Sequence, residues 1–230
     1  MTGDSQAHTH AQAESDTRAS DSVGLVLHNP RRYDLRLWLM ARGREGAFRR
    51  SLVELAGIGP GQSVLDIGCG TGSLAIEAGR VVGRQGSVVG IDPSPEMIGR
   101  ATSKARRLAN VSFRTGVAQD LPFEDASFDV ALCTFVAHQL PRDSFHRVKT
   151  EAARVVKVGG RLLLVDIGGA QHGRRTPHVA AAAKHGVELF DLRKIGPLMA
   201  GSGFREIVSG EVPFRLSFFE RVQYLLLERV

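Results

Sequence analysis

Two acidic residues and three glycines form the part of this chain that is best suited to chemistry. Asp66 ends a short apolar run, and Gly68, Gly70 and Gly72 follow it at alternate positions. A second apolar run downstream ends in another carboxylate, that of Asp92. Glycine tolerates positive φ and lets a ligand approach the backbone closely. The pattern therefore predicts a turn between a strand and a helix that binds a nucleoside-bearing ligand.

The position of Asp66 separates two classes of nucleoside cofactor. Dinucleotide-binding turns have the pattern Gly-x-Gly-x-x-Gly and direct a helix N-terminus at a pyrophosphate. In this chain the third glycine comes one residue earlier, and the carboxylate of Asp66 would repel a pyrophosphate. A carboxylate suits instead the ammonium group and the sulfonium centre of S-adenosylmethionine, and Asp92 can accept hydrogen bonds from the ribose hydroxyls. The turn therefore predicts S-adenosylmethionine as the cofactor.

Composition narrows the class of protein. A chain of 230 residues with 43% hydrophobic residues can build a full core. The net charge of +6 could attract nucleic acid, but no interleaved aromatic and basic residues accompany it, so nucleic acid is not an expected partner. No apolar run approaches the roughly 18 residues of a membrane span. The two cysteines favour a reducing compartment, and the cytoplasm is the expected location.

Apolar runs alternate with amphipathic segments along the chain. The expected strands are Ser63–Ile67, Ser87–Ile91, Val111–Thr115, Phe128–Cys133 and Arg161–Ile167. Helical segments separate these runs, so the sequence predicts an α/β fold with a doubly wound, mostly parallel sheet and right-handed crossovers. A C-terminal antiparallel hairpin is expected from Phe204–Ser209 and Pro213–Phe218.

The expected organisation has five parts. Residues 1–22 are a polar leader that we expect to be disordered, and residues 23–60 form an N-terminal helical cap. Residues 61–167 form the cofactor-binding core. Residues 168–194 form a lid with a helical stretch near Val179–Phe190, and residues 195–230 add a helix and the hairpin. The lid contains His172, His178 and His185, but no metal is expected because no Asp, Glu or Cys keeps ligand spacing with them.

Four segments resemble motifs of the class I S-adenosylmethionine-dependent methyltransferases, in particular the small-molecule branch that includes the quinone-biosynthesis methyltransferases. The segments are Val64–Gly72, Gly90–Ile98, Leu121–Val130 and Arg154–Val165. The resemblance extends over roughly residues 25–212. It implies a Rossmann-like methyltransferase fold and an enzyme that transfers a methyl group to a small-molecule acceptor by in-line displacement.

The resemblance also implies which residues bind the cofactor. Asp66 and the backbone from Gly68 through Cys69 to Gly70 would hold the methionine end, and Asp92 would hold the ribose. Pro93 and Met97 would pack against the adenine or the ribose.

The adenine site departs from the family pattern. Many relatives have an acid after the third strand, whereas this chain has Val117. The backbone of Val117 and Ala118 would then hold the adenine, or Gln119 or Asp120 would substitute for the acid.

The residues after the fourth strand would face the methyl acceptor. By the resemblance, Thr134 and Phe135 line the mouth of the site. His138 is a candidate base that takes a proton from the acceptor, or else it shapes the mouth through hydrogen bonds to the backbone. Gln139 either orients the acceptor or lies on the surface. Tyr33 resembles an N-terminal element that covers the cofactor in some relatives, and ordinary helix packing is its alternative role.

Two other functions stay open at the level of sequence. The valine at position 117 and the lack of a firm catalytic base also fit a methyltransferase-like binding or regulatory protein with weak or no turnover. The net positive charge also fits an RNA methyltransferase, although no RNA-binding module accompanies it. A homodimer is a further expectation.

Overall fold

Seven strands form a single sheet in the computed structural model, which describes residues 29–140, 142–167, 192, 195, 197, 199, 201–214, 216 and 222–230. The strands are β1 Ser63–Ile67, β2 Ser87–Asp92, β3 Val111–Thr115, β4 Phe128–Thr134, β5 Val156–Ile167, β6 Phe204–Glu211 and β7 Val222–Arg229. Their order across the sheet is β3-β2-β1-β4-β5-β7-β6. Strands β1 to β5 run parallel, and β7 pairs antiparallel with both β5 and β6. The predicted doubly wound, mostly parallel sheet with an antiparallel C-terminal hairpin is confirmed.

The described helices are α1 Pro30–Met40, α2 Glu45–Leu55, α3 Ser73–Val82, α4 Pro95–Ala105 and α5 Arg142–Val155. Local sequence explains where they begin. The hydroxyl of Ser94 accepts a hydrogen bond from the amide of Met97 at 3.2 Å, and Pro95 occupies the first turn of α4, where no backbone donor is needed. Asn29 and Pro30 begin α1 in the same way.

The sheet has a hydrophobic core on each face. Successive residues of β1 belong to different buried clusters, with Val64 in one and Leu65 in the other. The first cluster includes Phe48 and Leu52 from α2, and the second includes Phe145 from α5. Because β1 is covered on both sides, its sequence is apolar at nearly every position, as expected for a central parallel strand. The two cores hold the strand ends rigidly at the edge where the glycine turn lies.

The prediction for the second strand of the C-terminal hairpin was wrong. The structure places this strand at Val222–Arg229, and Pro213, Phe214 and Leu216 are not in a strand. Proline lacks the amide that a ladder requires. Leu226 of β7 packs in one hydrophobic core and Leu225 and Leu227 pack in the other, so both faces of β7 are covered and its leucines follow one another without alternation.

Strand β5 is longer than predicted, because it starts at Val156 rather than Arg161. Gly159 and Gly160 coincide with an irregularity in the pairing of β5 with β4. Within the predicted C-terminal helix Ile195–Gly203, the described positions 195, 197 and 199 are helical, whereas residues 201–203 form a turn. The leader at residues 1–22 and the stretch Val179–Phe190 lie outside the described residues. The division into five parts otherwise stays a prediction.

Candidate functional site

The glycine turn lies directly over the end of β2. The amides of Gly68 and Cys69 both donate to the carbonyl of Ile91, at 2.8 and 3.0 Å. Gly68, Gly70 and Gly72 all have positive φ, at 69°, 53° and 75°. These conformations bring the turn back across the sheet edge, so its backbone faces the carboxyl ends of β1 and β2. Ligands of doubly wound sheets bind at this edge.

The three glycines serve different purposes, which the sequence did not reveal. A Cβ added at Gly72 would lie 2.5 Å from Cζ of Phe113 on β3, so this glycine is required for packing and not for ligand approach. A Cβ at Gly68 would lie 2.3 Å from Cγ2 of Val136, at the opposite wall of the site. A Cβ at Gly70 would lie 3.5 Å from the ring of Tyr33. Only Gly68 and Gly70 line the cavity described below.

The carboxylate of Asp92 connects the glycine turn to α4. One oxygen accepts from the amide of Gly70 at 2.9 Å, and the other accepts from the amide of Ser94 at 3.0 Å. Burial raises the pKa of Asp92, and these two backbone donors oppose that rise. Each carboxylate oxygen can accept more than one hydrogen bond. The group can therefore hold both loops and still accept from two neighbouring hydroxyl groups.

Asp66 is a buried carboxylate without a hydrogen-bond partner of good geometry among the described residues. Only 1% of the residue is exposed, and neither oxygen accepts a well-aligned hydrogen bond. Burial raises the pKa of Asp66 to about 7, against the opposing effects of the Arg49 charge on α2 and of the nearby backbone amide of Ala75. Unpartnered buried carboxylates cost free energy and are rarely retained without a reason. The chemistry of this group fits a ligand that brings its own positive charge.

A cavity opens beside the glycine turn and encloses about 690 Å³, open solvent included. The predicted site residues that line it are Tyr33, Gly68, Gly70, Asp92, Pro93, Met97, Val117, Ala118, Thr134, Phe135 and Gln139. The sequence did not single out four other lining residues, which are Ile91, Gly116, Val136 and Leu140. Each of these four residues is adjacent in sequence to a predicted site residue, and this adjacency was the only signal that could have indicated them.

Four predicted site residues do not line the cavity: Asp66, Cys69, Gly72 and His138. Asp66 is buried beneath the turn, and Gly72 begins α3. The sulfur of Cys69 faces β2, where a Cβ added at Gly90 would lie 2.9 Å from it. Burial raises the pKa of this thiol well above its ordinary value, so Cys69 is no nucleophile.

The segment after β3 forms the wall where an adenine would be expected. The amide of Gly116 donates to the carbonyl of Asp92 at 3.1 Å, and Val117 forms an isolated bridge with Asp120. Gln119 lines the cavity, whereas Asp120 is exposed and does not. Of the two polar residues considered as substitutes for the missing acid, only Gln119 is therefore at the site.

His138 and Asp166 form a pair that the sequence did not predict. The backbone amide of His138 donates to one oxygen of Asp166 at 3.0 Å, and Nδ1 lies 2.6 Å from the other. Asp166 is buried near the end of β5, next to the 3-10 turn Ala137–Gln139. Both contacts hold this turn against the sheet. Because Asp166 is 28 residues from His138, only the folded chain brings them together.

Helix α1 covers the glycine turn, and an ionic cluster holds it there. Asp34 accepts from the hydroxyl of Thr71 at 2.5 Å and from Nζ of Lys104 at 3.3 Å, and Arg100 donates to it at 3.1 Å. Burial pushes the pKa of Asp34 upward, but these partners hold it below its ordinary value. The neighbouring Tyr33 lines the cavity, and burial raises the pKa of its hydroxyl.

Among the described residues, no group of three or more His, Cys, Asp or Glu side chains is arranged to hold a metal ion. The histidines at 172, 178 and 185 fall outside those residues. No helix within the described ranges is both long enough and apolar enough to cross a membrane.

The sequence and the fold were compared with those of known proteins. Residues 64–160 match the family described as Methyltransferase domain. The chain is 35% identical over 137 residues to a demethylmenaquinone methyltransferase of Bacillus cereus, a match that covers 59% of this chain and 57% of that protein. The chain thus spans a little more than half the length of this curated relative.

Two solved structures share the fold. A SAM-dependent methyltransferase from Aquifex aeolicus has a TM-score of 0.69 at 21% identity, over 89% of this chain and 100% of that one. A geranyl diphosphate C-methyltransferase from Streptomyces coelicolor A3(2) has a TM-score of 0.67 at 20% identity, over 81% and 76% of the two chains. The matched residues 64–160 contain the glycine turn and both site carboxylates, so the part of the chain that carries the site is similar to a methyltransferase domain.

Proposed function

We propose that this protein transfers a methyl group from S-adenosylmethionine to a small, lipophilic acceptor. The observation that carries the proposal is the unpartnered buried carboxylate of Asp66 behind a cavity edged by Asp92. The cofactor supplies an electrophilic methyl group on a positively charged sulfur.

The residues of the chain fit the two ends of this cofactor. The carboxylate of Asp66 can neutralise a positive charge near the Gly68–Gly70 backbone, and Asp92 can accept from two ribose hydroxyls. Pro93 and Met97 offer apolar contact on one wall, and Gln119 offers a polar group on another. Displacement at a methyl group needs alignment and exclusion of water more than it needs a nucleophile on the protein, and alignment alone can contribute ~7–11 kcal/mol.

The acceptor end of the cavity is mostly apolar. Phe135, Val136 and Leu140 line it beside Thr134. Such a wall fits a ring or a hydrocarbon chain better than a charged acceptor. The names of the relatives agree with this chemistry, since one refers to demethylmenaquinone and another to geranyl diphosphate. We therefore propose a quinone-like or isoprenoid acceptor.

Calorimetry with S-adenosylhomocysteine and with NAD⁺ tests the cofactor assignment. We expect only the former to bind, because the carboxylate of Asp66 opposes a pyrophosphate at the glycine turn. Asp92→Asn should weaken that binding about tenfold, since one charged acceptor oxygen is lost. Asp129→Asn is the matched control, because Asp129 also accepts from a backbone amide, that of Ser63 at 2.8 Å, but at the start of β4. Preference for NAD⁺ would exclude the proposal.

Transfer itself needs a separate measurement. Incubation with S-adenosylmethionine carrying a labelled methyl group and a panel of quinones and isoprenoids should label one of them. Tight cofactor binding with no labelled product across the panel would favour a binding or regulatory protein, and labelled RNA would favour an RNA methyltransferase.

For His138 we propose a positioning role, because its ring and amide are both held by Asp166 and it does not line the cavity. His138→Gln and Asp166→Asn should each lower kcat/KM about five- to tenfold without changing the shape of the pH–rate profile. A base role, the alternative reading, predicts a loss of roughly 10²–10⁴ in His138→Gln and the disappearance of the acid limb of the profile. The pH–rate profiles of the two variants decide between these roles.

The remaining expectations have less support. The cytoplasm and a homodimer both stay predictions. Nucleic acid is not a proposed partner, because the cavity wall next to the acceptor site is apolar rather than basic.

A further inference from the structure

The outer face of α1 carries large apolar side chains in contact with solvent. Leu35, Trp38 and Leu39 are 57%, 53% and 52% exposed. Their spacing of three and four residues places them on one side of the helix. The opposite side carries Tyr33 and Asp34, which contact the cavity and the ionic cluster. An exposed apolar strip on a helix marks an interaction surface more often than it is accidental.

The charged side chains that α1 itself places beside this strip are basic. Arg31 and Arg32 are exposed on the same side of the helix. The only acid in α1 is Asp34, and it is held inside by Thr71, Lys104 and Arg100. The outer face therefore combines leucines, a tryptophan and arginines without a carboxylate of its own helix. Helices that lie in the interface of an anionic bilayer have this composition.

We propose that the outer face of α1, formed by Arg31, Arg32, Leu35, Trp38 and Leu39, binds the surface of a bilayer that contains anionic lipid. The helix has 11 residues and lies along the surface rather than across the membrane. The leucines and the tryptophan enter the boundary between headgroups and acyl chains, and the arginines remain at the phosphates.

The location of α1 places the proposed membrane contact close to the cavity. Tyr33 lines the cavity from the inner side of the same helix, so a bilayer on the outer side is one helix diameter from the site. A lipophilic acceptor dissolved in the bilayer would then have a short path to the cavity. This purpose rests on the proposed function, whereas the lipid contact itself rests only on the exposed face.

The chain contains a single tryptophan, so Trp38 reports on its own surroundings without interference. Phosphatidylcholine vesicles with about one-third phosphatidylglycerol should shift its emission to shorter wavelengths and bind the protein in sedimentation. Lipids brominated near the headgroup should quench the emission. Pure phosphatidylcholine vesicles should bind the protein far more weakly, and raising the salt concentration should release it from the anionic ones.

Two double variants test the face directly. Arg31→Gln with Arg32→Gln should lower the partition coefficient roughly 25-fold, because each arginine near an anionic surface contributes about fivefold. Leu35→Ser with Leu39→Ser should lower it at least about tenfold. The matched controls are Arg106→Gln with Arg107→Gln for charge and Ile207→Ser with Val208→Ser for exposed apolar area. Both controls should bind vesicles like the unmodified protein.

Several results would overturn the proposal. An unchanged Trp38 emission with anionic vesicles would show that this face does not enter the bilayer. A loss of binding in the arginine control equal to that in Arg31→Gln with Arg32→Gln would show that net charge alone attracts the protein. A blue shift that needs no vesicles and rises with protein concentration would assign the face to a second copy of the chain. Retention by an immobilised acidic polypeptide without vesicle binding would assign it to a protein partner. All variants should keep their affinity for S-adenosylhomocysteine, so a failure of the cofactor assignment is seen separately.

Discussion

Asp66→Asn is expected to make the ligand-free protein more stable at pH 8 while weakening its affinity for S-adenosylmethionine. Burial raises the pKa of Asp66 from 3.8 to about 7, so at pH 8 the folded chain holds a buried charge that the unfolded chain exposes to water. Asparagine has the same shape without the charge. At ~1.4 kcal/mol per pKa unit, the gain in the free energy of unfolding should be about 2–4 kcal/mol.

The pH dependence of the free energy of unfolding tests the sign of the stability change in Asp66→Asn. Between the unfolded pKa near 3.8 and the folded value of about 7, the folded state retains a proton that the unfolded state has lost. The stability of the unmodified protein therefore falls as pH rises through this window and is constant above it. The advantage of the variant should grow from pH 5 to pH 8. Denaturant unfolding at these two pH values measures it, and an equal difference at both would contradict the assigned cause.

Cofactor affinity should change in the opposite direction. Loss of the buried charge behind the glycine turn should weaken binding of S-adenosylmethionine about 10- to 100-fold, because a carboxylate attracts a positively charged ligand even without direct contact. In the unmodified protein the dissociation constant should rise as pH falls below 7, since binding then favours release of the proton of Asp66. Calorimetry across this range should show no such rise in Asp66→Asn. An unaltered affinity would mean that the charge of Asp66 does not act on the cofactor.

Gly72→Ala is expected to lower the free energy of unfolding by about 2–5 kcal/mol. The residue has φ of 75°, which costs ~1–2 kcal/mol for a residue with a Cβ. The added carbon would also lie 2.5 Å from Cζ of Phe113 and 2.8 Å from Cβ of Ala101, and overpacking of this kind costs ~1–3 kcal/mol.

Two control glycines separate these causes. Gly61 has φ of 80° but open space around its Cβ position, so Gly61→Ala should report the conformational cost alone. Gly59 has neither constraint, so Gly59→Ala should be nearly neutral or slightly stabilising. Pairing Gly72→Ala with Phe113→Leu should recover part of the packing cost. Denaturant unfolding of all four proteins provides the comparison. If Gly72→Ala and Gly61→Ala cost the same, the contact with Phe113 contributes nothing.

The sequence was sufficient to predict the position of a site residue where the local sequence pattern and the location in the fold agree. β1 and β2 end in carboxylates beside glycines, and parallel strands place those ends at one edge, so the positions of Asp92 and Gly70 could be predicted. Most of the predicted lining residues lie at or shortly after the end of a strand, as Thr134 does at the end of β4 and Val117 does two residues after β3. Strand ends were therefore a reliable guide to the cavity.

Contacts between distant segments could not be predicted. Asp166 lies near the end of β5, but nothing in its neighbours indicates that it holds His138. The link from Asp34 to Lys104 joins residues 70 apart, and each has an ordinary polar position in its own helix. β7 was missed for a related reason, because the burial of both its faces depends on the two cores that the folded chain builds around it. In each case the deciding partner is supplied by the tertiary fold.

The outer edge of β6 protects the sheet from aggregation. Among the strands that the structure describes, β6 pairs only with β7, so its other side presents backbone groups that could recruit a strand from another molecule. Its pairing slips between Glu206 and Val208, and a bulge of this kind bends the edge away from a flat template. Arg205 and Glu206 add charge at the same place. A strand with exposed Ile207 and Val208 can therefore end the sheet without starting a fibre.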